Sequence, residues 1–315
     1  MRNIFRNRAV GAAVVVFALV AAACGSGDGS TETTTPGTAA PSIPDGPTIV
    51  VGSTNFGEQL ILGDIYATVL EQNGYPVERS FNLGTRDVVN PALKSGEIDM
   101  LAEYTGTLLT FEGGTSSTDS QATWDSLVDI LQGTGVTVLD YSPAQDKNGF
   151  VVTAETAADL GVASLSDLVA FNGTLVLGGP PECPSREFCL IGLQDVYGLD
   201  FASFSPLDVG GALTVAALEG GEVDVALLFT SDGVIAAKGF VLLEDDMNLQ
   251  PAENIVPVIR EEILTTYGDD LASVINSVSA AITTAELSEL NRRFGEGEDP
   301  DALALDWLAA NGFAG

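Results

Sequence analysis

Short runs of β-branched and aliphatic residues alternate with longer stretches in which apolar residues return every three or four positions. From residue 48 onward this pattern predicts a strand at Thr48–Gly52, an amphipathic helix at Gln59–Asn73 and a strand at Val77–Phe81. It continues with strands at Gly149–Thr153, Thr174–Leu177, Asp224–Phe229, Val241–Leu243 and Asn254–Arg260, and with helices at Ser164–Val169, Leu213–Glu219 and Asp269–Ala281. Two more helices follow at Glu286–Phe294 and Pro300–Asn311, the second carrying Leu303, Leu305, Trp307 and Leu308. Strands alternating with helices indicate an α/β protein.

Within the alternation a unit recurs. Thr48-Ile-Val-Val-Gly52 returns 126 residues later as Thr174-Leu-Val-Leu-Gly178, and Ala92-Leu-Lys-Ser-Gly-Glu-Ile-Asp-Met100 returns 125 residues later as Ala217-Leu-Glu-Gly-Gly-Glu-Val-Asp-Val225. Two echoes in the same order and at nearly one offset predict two similar lobes, each opening with a strand that ends in glycine and each holding a Gly-capped helix that feeds an inner strand. Asp99 and Asp224 then belong to architecture, because a duplicated feature is seldom the unique chemistry. Ligands of open α/β sheets sit outside the carboxyl ends of the strands, so two such sheets face each other across a cleft. If the chain crosses between lobes at Gly149–Val152 and at Asn254–Pro257, those segments form a hinge that closes on a solute. The lobes would be residues 48–148 plus 255–315, and residues 149–254.

The N-terminus suggests the compartment. Arg2, Arg6 and Arg8 precede an apolar run of 14 residues, Val10–Ala23, which reads as a signal peptide and is shorter than the ~20 residues a membrane span needs. Cys24 with Gly25 and Ser26 resembles a bacterial lipobox, where cleavage precedes a cysteine that carries lipid. Ala21 stands where such boxes usually have Leu, and the alternative is an ordinary cleavage site with an incidental cysteine. Residues 25–47 are rich in Gly, Ser, Thr and Pro and bury too little apolar surface to order, which predicts a flexible tether. The expected location is the outer face of the cell membrane, attached through lipid only.

Charge and composition narrow the function. Twelve Lys and Arg stand against 44 Asp and Glu, a formal net charge of −32. Removal of residues 1–23 takes three arginines and no acid, giving −35. Such a surface repels nucleic acid and anionic headgroups. Histidine is absent, which removes His-dependent triads and the usual zinc sites, so neither catalysis nor a metal or cofactor is expected. Paired carboxylates or a lysine remain as the route for a secreted enzyme. Cys183 and Cys189 predict a disulfide in an oxidising compartment, with a redox or metal pair as the alternative.

Five segments carry a resemblance: Gly52-Ser-Thr-Asn-Phe-Gly-Glu-Gln59, Asn82-Leu-Gly-Thr85, Ala92–Met100, Glu103-Tyr-Thr-Gly-Thr107 and Leu228-Phe-Thr-Ser-Asp232. They are similar to the glycine betaine/choline/carnitine-binding proteins of osmoprotectant ABC importers, over nearly the whole body of the chain. The resemblance implies a two-lobed periplasmic-binding-protein fold of type II, with two hinge crossings and the ligand cleft between lobes. It also implies a small quaternary amine as ligand, an ABC transporter permease as partner, and a monomer as the default state. Another small polar solute, such as an amino acid, is the alternative ligand.

Members of that family hold the trimethylammonium head in an aromatic box, because this group donates no hydrogen bond and is held by ring faces. The resemblance places Tyr104, with Thr105 beside it, in the pocket, a core tyrosine being the alternative. Phe229, followed by Thr230, stands where relatives often have Tyr. Asn55, Phe56, Glu58 and Gln59 occupy the first strand–helix loop. Thr85 occupies the next, where its hydroxyl either meets ligand or caps a helix. Some relatives have further tyrosines near the hinge, whereas here Asp146 and Asn148 lie at the first crossing and Glu253 and Asn254 at the second. The implied box is thinner, and carboxylates replace part of it, so choline fits at least as well as glycine betaine. Alternatively these acids face solvent at the rim. Gly178-Gly-Pro-Pro-Glu-Cys183 is either a stiffened ligand loop or a plain turn.

Overall fold

The computed structural model describes residues 45–313. Two five-stranded sheets organise the chain. The first lobe opens with β1 (Ile49–Gly52), α1 (Gly57–Gln72), β2 (Val77–Ser80), α2 (Arg86–Ser95) and β3 (Met100–Tyr104). Next come α3 (Thr105–Phe111), α4 (Ser120–Leu131) and β4 (Val136–Val138). The second lobe holds β5 (Asn148–Val152), α5 (Ala154–Leu160), β6 (Val176–Gly179), α6 (Leu190–Tyr197), β7 (Ser203–Pro206), α7 (Ala212–Glu219), β8 (Val225–Phe229), α8 (Gly233–Lys238) and β9 (Val241–Leu242). The chain then returns to the first lobe with β10 (Ile255–Arg260), α9 (Glu261–Tyr267), α10 (Asp269–Ala281), α11 (Thr284–Gly295) and α12 (Pro300–Ala310).

The sheets share one plan. Their orders are β2-β1-β3-β10-β4 and β7-β6-β8-β5-β9, with four strands of each running in one direction and one, β10 or β5, inserted fourth against them. Side chains alternate between faces and both faces are covered, as a largely parallel sheet requires. In the first sheet Ile49, Val51, Met100 and Ile255 pack toward α1 and the C-terminal helices, while Leu101, Val256 and Val258 pack toward α2 and α4. In the second, Phe150, Leu177 and Leu227 occupy one core and Val151, Ala226 and Leu228 the other.

The repeated Gly-Glu-x-Asp units do the same work in both lobes. Asp99 donates its N–H to the Val50 carbonyl at 2.7 Å and accepts the Val50 N–H on Oδ2 at 2.9 Å. Asp224 repeats the pair with Val176 at 3.0 and 2.8 Å. Each aspartate thus locks the entry of an inner strand to its neighbour.

Two local expectations change. Ser164–Val169 is not an α-helix: Asp167 accepts the N–H groups of Ala163 and Ser164, both at 2.9 Å, and the chain winds as a 3₁₀ turn over Ser166–Phe171. The crossings also lie earlier than Gly149–Val152 and Asn254–Pro257, which sit largely inside β5 and β10. The two connecting segments pair antiparallel at Gln145 and Asn254, with Ile255 donating to Ala144 and Asp146 donating to Glu253, both at 3.0 Å. Cys183 and Cys189 are joined by a disulfide, both buried at the turn before α6.

Candidate functional site

A cleft of about 490 Å³ opens between the lobes. The paired crossings supply Asp146, Lys147, Asn148, Gln250 and Glu253, the first lobe adds Thr107 and Thr110 from α3, and the second adds the rings of Phe188 and Phe229. Phe229 sits at the carboxyl end of β8, opposite Asn148 in the register, which turns the strand end into a wall of the cleft.

Four of the residues singled out in the sequence therefore line the cavity: Asp146, Asn148, Phe229 and Glu253. Glu253 accepts the Thr107 N–H at 3.0 Å and the Thr107 hydroxyl at 2.6 Å, so its carboxylate caps the first turn of α3. Burial pushes the Glu253 carboxyl up. The approach is close enough to demand Gly106, where a Cβ would lie 2.5 Å from the Ala252 carbonyl. Asn148 donates to the Phe188 carbonyl at 3.1 Å and so fixes the loop that carries that ring.

Beside the cavity is a second group of polar side chains, around Tyr104. Tyr104 is 7% exposed, stacks on Phe56 with centroids 6.2 Å apart, and donates its hydroxyl to Glu58 at 2.6 Å. Asn291 of α11 donates to the other Glu58 oxygen at 2.6 Å and to the Ser231 carbonyl at 2.9 Å. Ser231 in turn donates to Asp146 at 2.7 Å. This chain of bonds joins the first lobe, the second lobe and the crossing. Burial raises the Glu58 carboxyl above the usual carboxylate range. Asp146 is pushed well above it, first by burial and then by the charge of Glu58. Asp232, whose carboxylate accepts the Phe229 N–H at 2.8 Å, is raised to about 6 by burial and by Glu58. Helix α8 lies so close to α11 here that a Cβ at Gly233 would fall 2.1 Å from the Arg292 nitrogen.

The remaining sequence-derived residues lie elsewhere. Thr105 and Asn254 are buried in the crossing, bonded to each other backbone to backbone at 3.0 Å and through the Thr105 hydroxyl at 3.1 Å. Thr230 braces the first crossing, accepting the Lys147 N–H at 2.9 Å. Gln59 is buried with neither side-chain polar atom partnered. Asn55 is exposed beside Phe56. Thr85 is exposed at the start of α2 and its hydroxyl makes no capping bond. Glu103 is buried and held by Arg86 through a two-pronged pair, 2.9 and 2.7 Å, that ties α2 to β3. Cys24 lies outside the described residues.

Sequence reasoning missed Lys147, Phe188 and Asn291. Their roles depend on neighbours remote in the chain, and only Phe188, beside Cys189 in the segment already marked, had a local signal.

Comparisons with known proteins bear on the family and the fold. The glycine betaine-binding protein YehZ of Escherichia coli (strain K12) is 30% identical over 278 residues, covering 84% of this chain and 91% of that protein. The carnitine transport binding protein OpuCC of Listeria monocytogenes is 27% identical over 274 residues, covering 84% and 87%. A solved structure described as a glycine betaine/carnitine/choline ABC transporter superposes with a TM-score of 0.78 at 25% identity, over 85% of this chain and all of that one. The family described as the substrate binding domain of the ABC-type glycine betaine transport system matches residues 47–310. The two-lobed α/β chain belongs to that family of substrate-binding domains.

Proposed function

We propose that the cleft captures one small quaternary amine or zwitterion of the glycine betaine, carnitine or choline type and presents it to the permease of an ABC importer. The observation that carries this reading is the 490 Å³ cleft walled by Phe188 and Phe229, lying over two crossing segments that pair at Gln145 and Asn254. Ring faces hold a trimethylammonium group at about 0.5–2 kcal/mol each, so two rings alone give weak binding. In the bound state the stacked Phe56–Tyr104 pair is drawn against the same head as the lobes close. Ligand shifts the open–closed equilibrium by its differential affinity for the closed form, and the permease reads that form.

Binding proteins of ABC importers work outside the cytoplasmic membrane. Among the described residues no helix is long and apolar enough to cross one. Attachment through lipid on Cys24, a tether that ends before Pro47, whose carbonyl Tyr267 holds, and action as a monomer complete the proposal. The relatives are transport binding proteins, and no bond-breaking step is part of it.

Calorimetric titration of the purified chain with glycine betaine, carnitine and choline tests the reading. We expect one ligand per chain, and a rise in melting temperature when ligand is far above its Kd, since binding to the folded state alone stabilises it. Absence of heat and of any melting shift with all three would remove the quaternary-amine reading and leave the fold intact.

A further inference from the structure

The acids of the cleft are partly taken up by the protein itself. Both oxygens of Glu253 are engaged by Thr107, and Asp146 holds the Ser231 hydroxyl. Glu187, the remaining acid of the lining, is exposed at the rim.

Lys147 is the contrast. Nine Lys and Arg fall within the described residues, and eight of them have a carboxylate oxygen within 4.0 Å. Among the described residues Lys147 alone has none. In a chain where acids outnumber bases 44 to 12, a cation with no carboxylate oxygen within 4.0 Å is the exception, and this one lines both the cleft and the adjoining cavity of about 210 Å³ that Asp245 also lines. Its position is set by the fold: Thr230 accepts the Lys147 N–H at 2.9 Å and donates its own N–H to the Lys147 carbonyl at 2.8 Å. The side chain is half-buried, between Asp146 and Asn148 on the first crossing.

Resting on the solute-capture reading, we infer that Lys147 is the anchor for a carboxylate on the solute, so that the cleft prefers a zwitterion with a quaternary head to a plain cation such as choline. A charge-assisted bond from ammonium to carboxylate is roughly twice as strong as a neutral one and gains further in a cleft that excludes water. Desolvation lowers the Lys147 ammonium, while Asp245 and Glu253 hold it up. A ligand carboxylate compensates for that lost hydration. The preference reverses the one that the bare count of hinge acids in the sequence suggests.

Glycine betaine and choline share the trimethylammonium head and differ in carboxylate against hydroxymethyl, so the ratio of their dissociation constants isolates the anionic end. By calorimetry the unsubstituted protein is expected to favour glycine betaine. Lys147→Gln should cut that ratio by about tenfold or more, and Lys147→Arg should keep most of it. Lys147→Met, which retains the aliphatic stem, replaces the Gln variant if the amide perturbs the crossing. A ratio unmoved by Lys147→Gln or Lys147→Met, or choline preferred by the unsubstituted protein, overturns the inference while solute capture stands. Binding of none of the quaternary amines removes both.

Discussion

At Tyr104 the ring and the hydroxyl have separate tasks. The ring stacks on Phe56, and the hydroxyl satisfies one oxygen of a buried Glu58. Tyr104→Phe keeps the stack and strips a donor from a buried carboxyl, which costs about 1–3 kcal/mol. We expect a lower urea midpoint for Tyr104→Phe with little change in ligand affinity, and at least about tenfold weaker binding for Tyr104→Ala, which also removes a ring face. An unchanged midpoint would mean that Asn291 alone satisfies Glu58. The Glu-Tyr-Thr-Gly-Thr motif singles out Tyr104 in the sequence, and the structure places it beside the cavity rather than in its lining. Asn291 was not legible, since it lies 233 positions from Glu58 and reads in sequence as one more polar residue on a helix. Lys147 was equally silent: its lack of a partner is a property of the folded surroundings, and no local pattern encodes it.

Elements were readable where a local rule and the fold agree. The echo of Gly-Glu-x-Asp marked two equivalent strand entries, and the structure gives both the same pair of hydrogen bonds. The copies differ in one respect, because Asp99 also accepts from Arg260 at 2.9 Å. Asp224→Ala leaves the Val176 N–H without its side-chain acceptor, and Asp99→Ala does the same to the Val50 N–H and also removes one of the two carboxylates on Arg260, leaving Glu262. The first should lower the unfolding free energy by about 1–3 kcal/mol and the second by more, read from denaturant midpoints. Equal losses would show that the Arg260 pair contributes nothing net. Apart from that echo, the apolar pattern alone failed at three strands. Every residue of β3 is buried, yet Glu103 interrupts its apolar run and is tolerated only because Arg86 meets it. Strand β4 has three residues, and β7, Ser203–Pro206, reads as loop because its proline is allowed only at the edge it occupies.

Across the whole molecule, charge couples the lobes. Asp232 belongs to the second lobe and Glu58 to the first, and the negative field of Glu58 helps burial to raise Asp232 from 3.8 to about 6. A carboxyl whose folded value is raised binds its proton more tightly in the folded state. Its stabilising share is therefore fully present below the ordinary value near pH 4 and is lost as pH rises through about 6. The loss amounts to no more than roughly 3 kcal/mol. The acids that oppose it, Asp167, Asp208, Glu289 and Glu298, are held below their ordinary values and act only at more acid pH. Asp232→Asn keeps an acceptor for the Phe229 N–H and removes the titration. The unfolding free energy of the unsubstituted protein minus that of Asp232→Asn should fall between about pH 4 and pH 7, and the variant should be the more stable of the two near neutrality. The cross-lobe origin has its own signature: Glu58→Gln should move the Asp232 titration, followed by carboxyl NMR, back toward its ordinary value. If Asp232 titrates unchanged in Glu58→Gln, its shift comes from burial within its own lobe, and the two lobes are not coupled through charge at this contact.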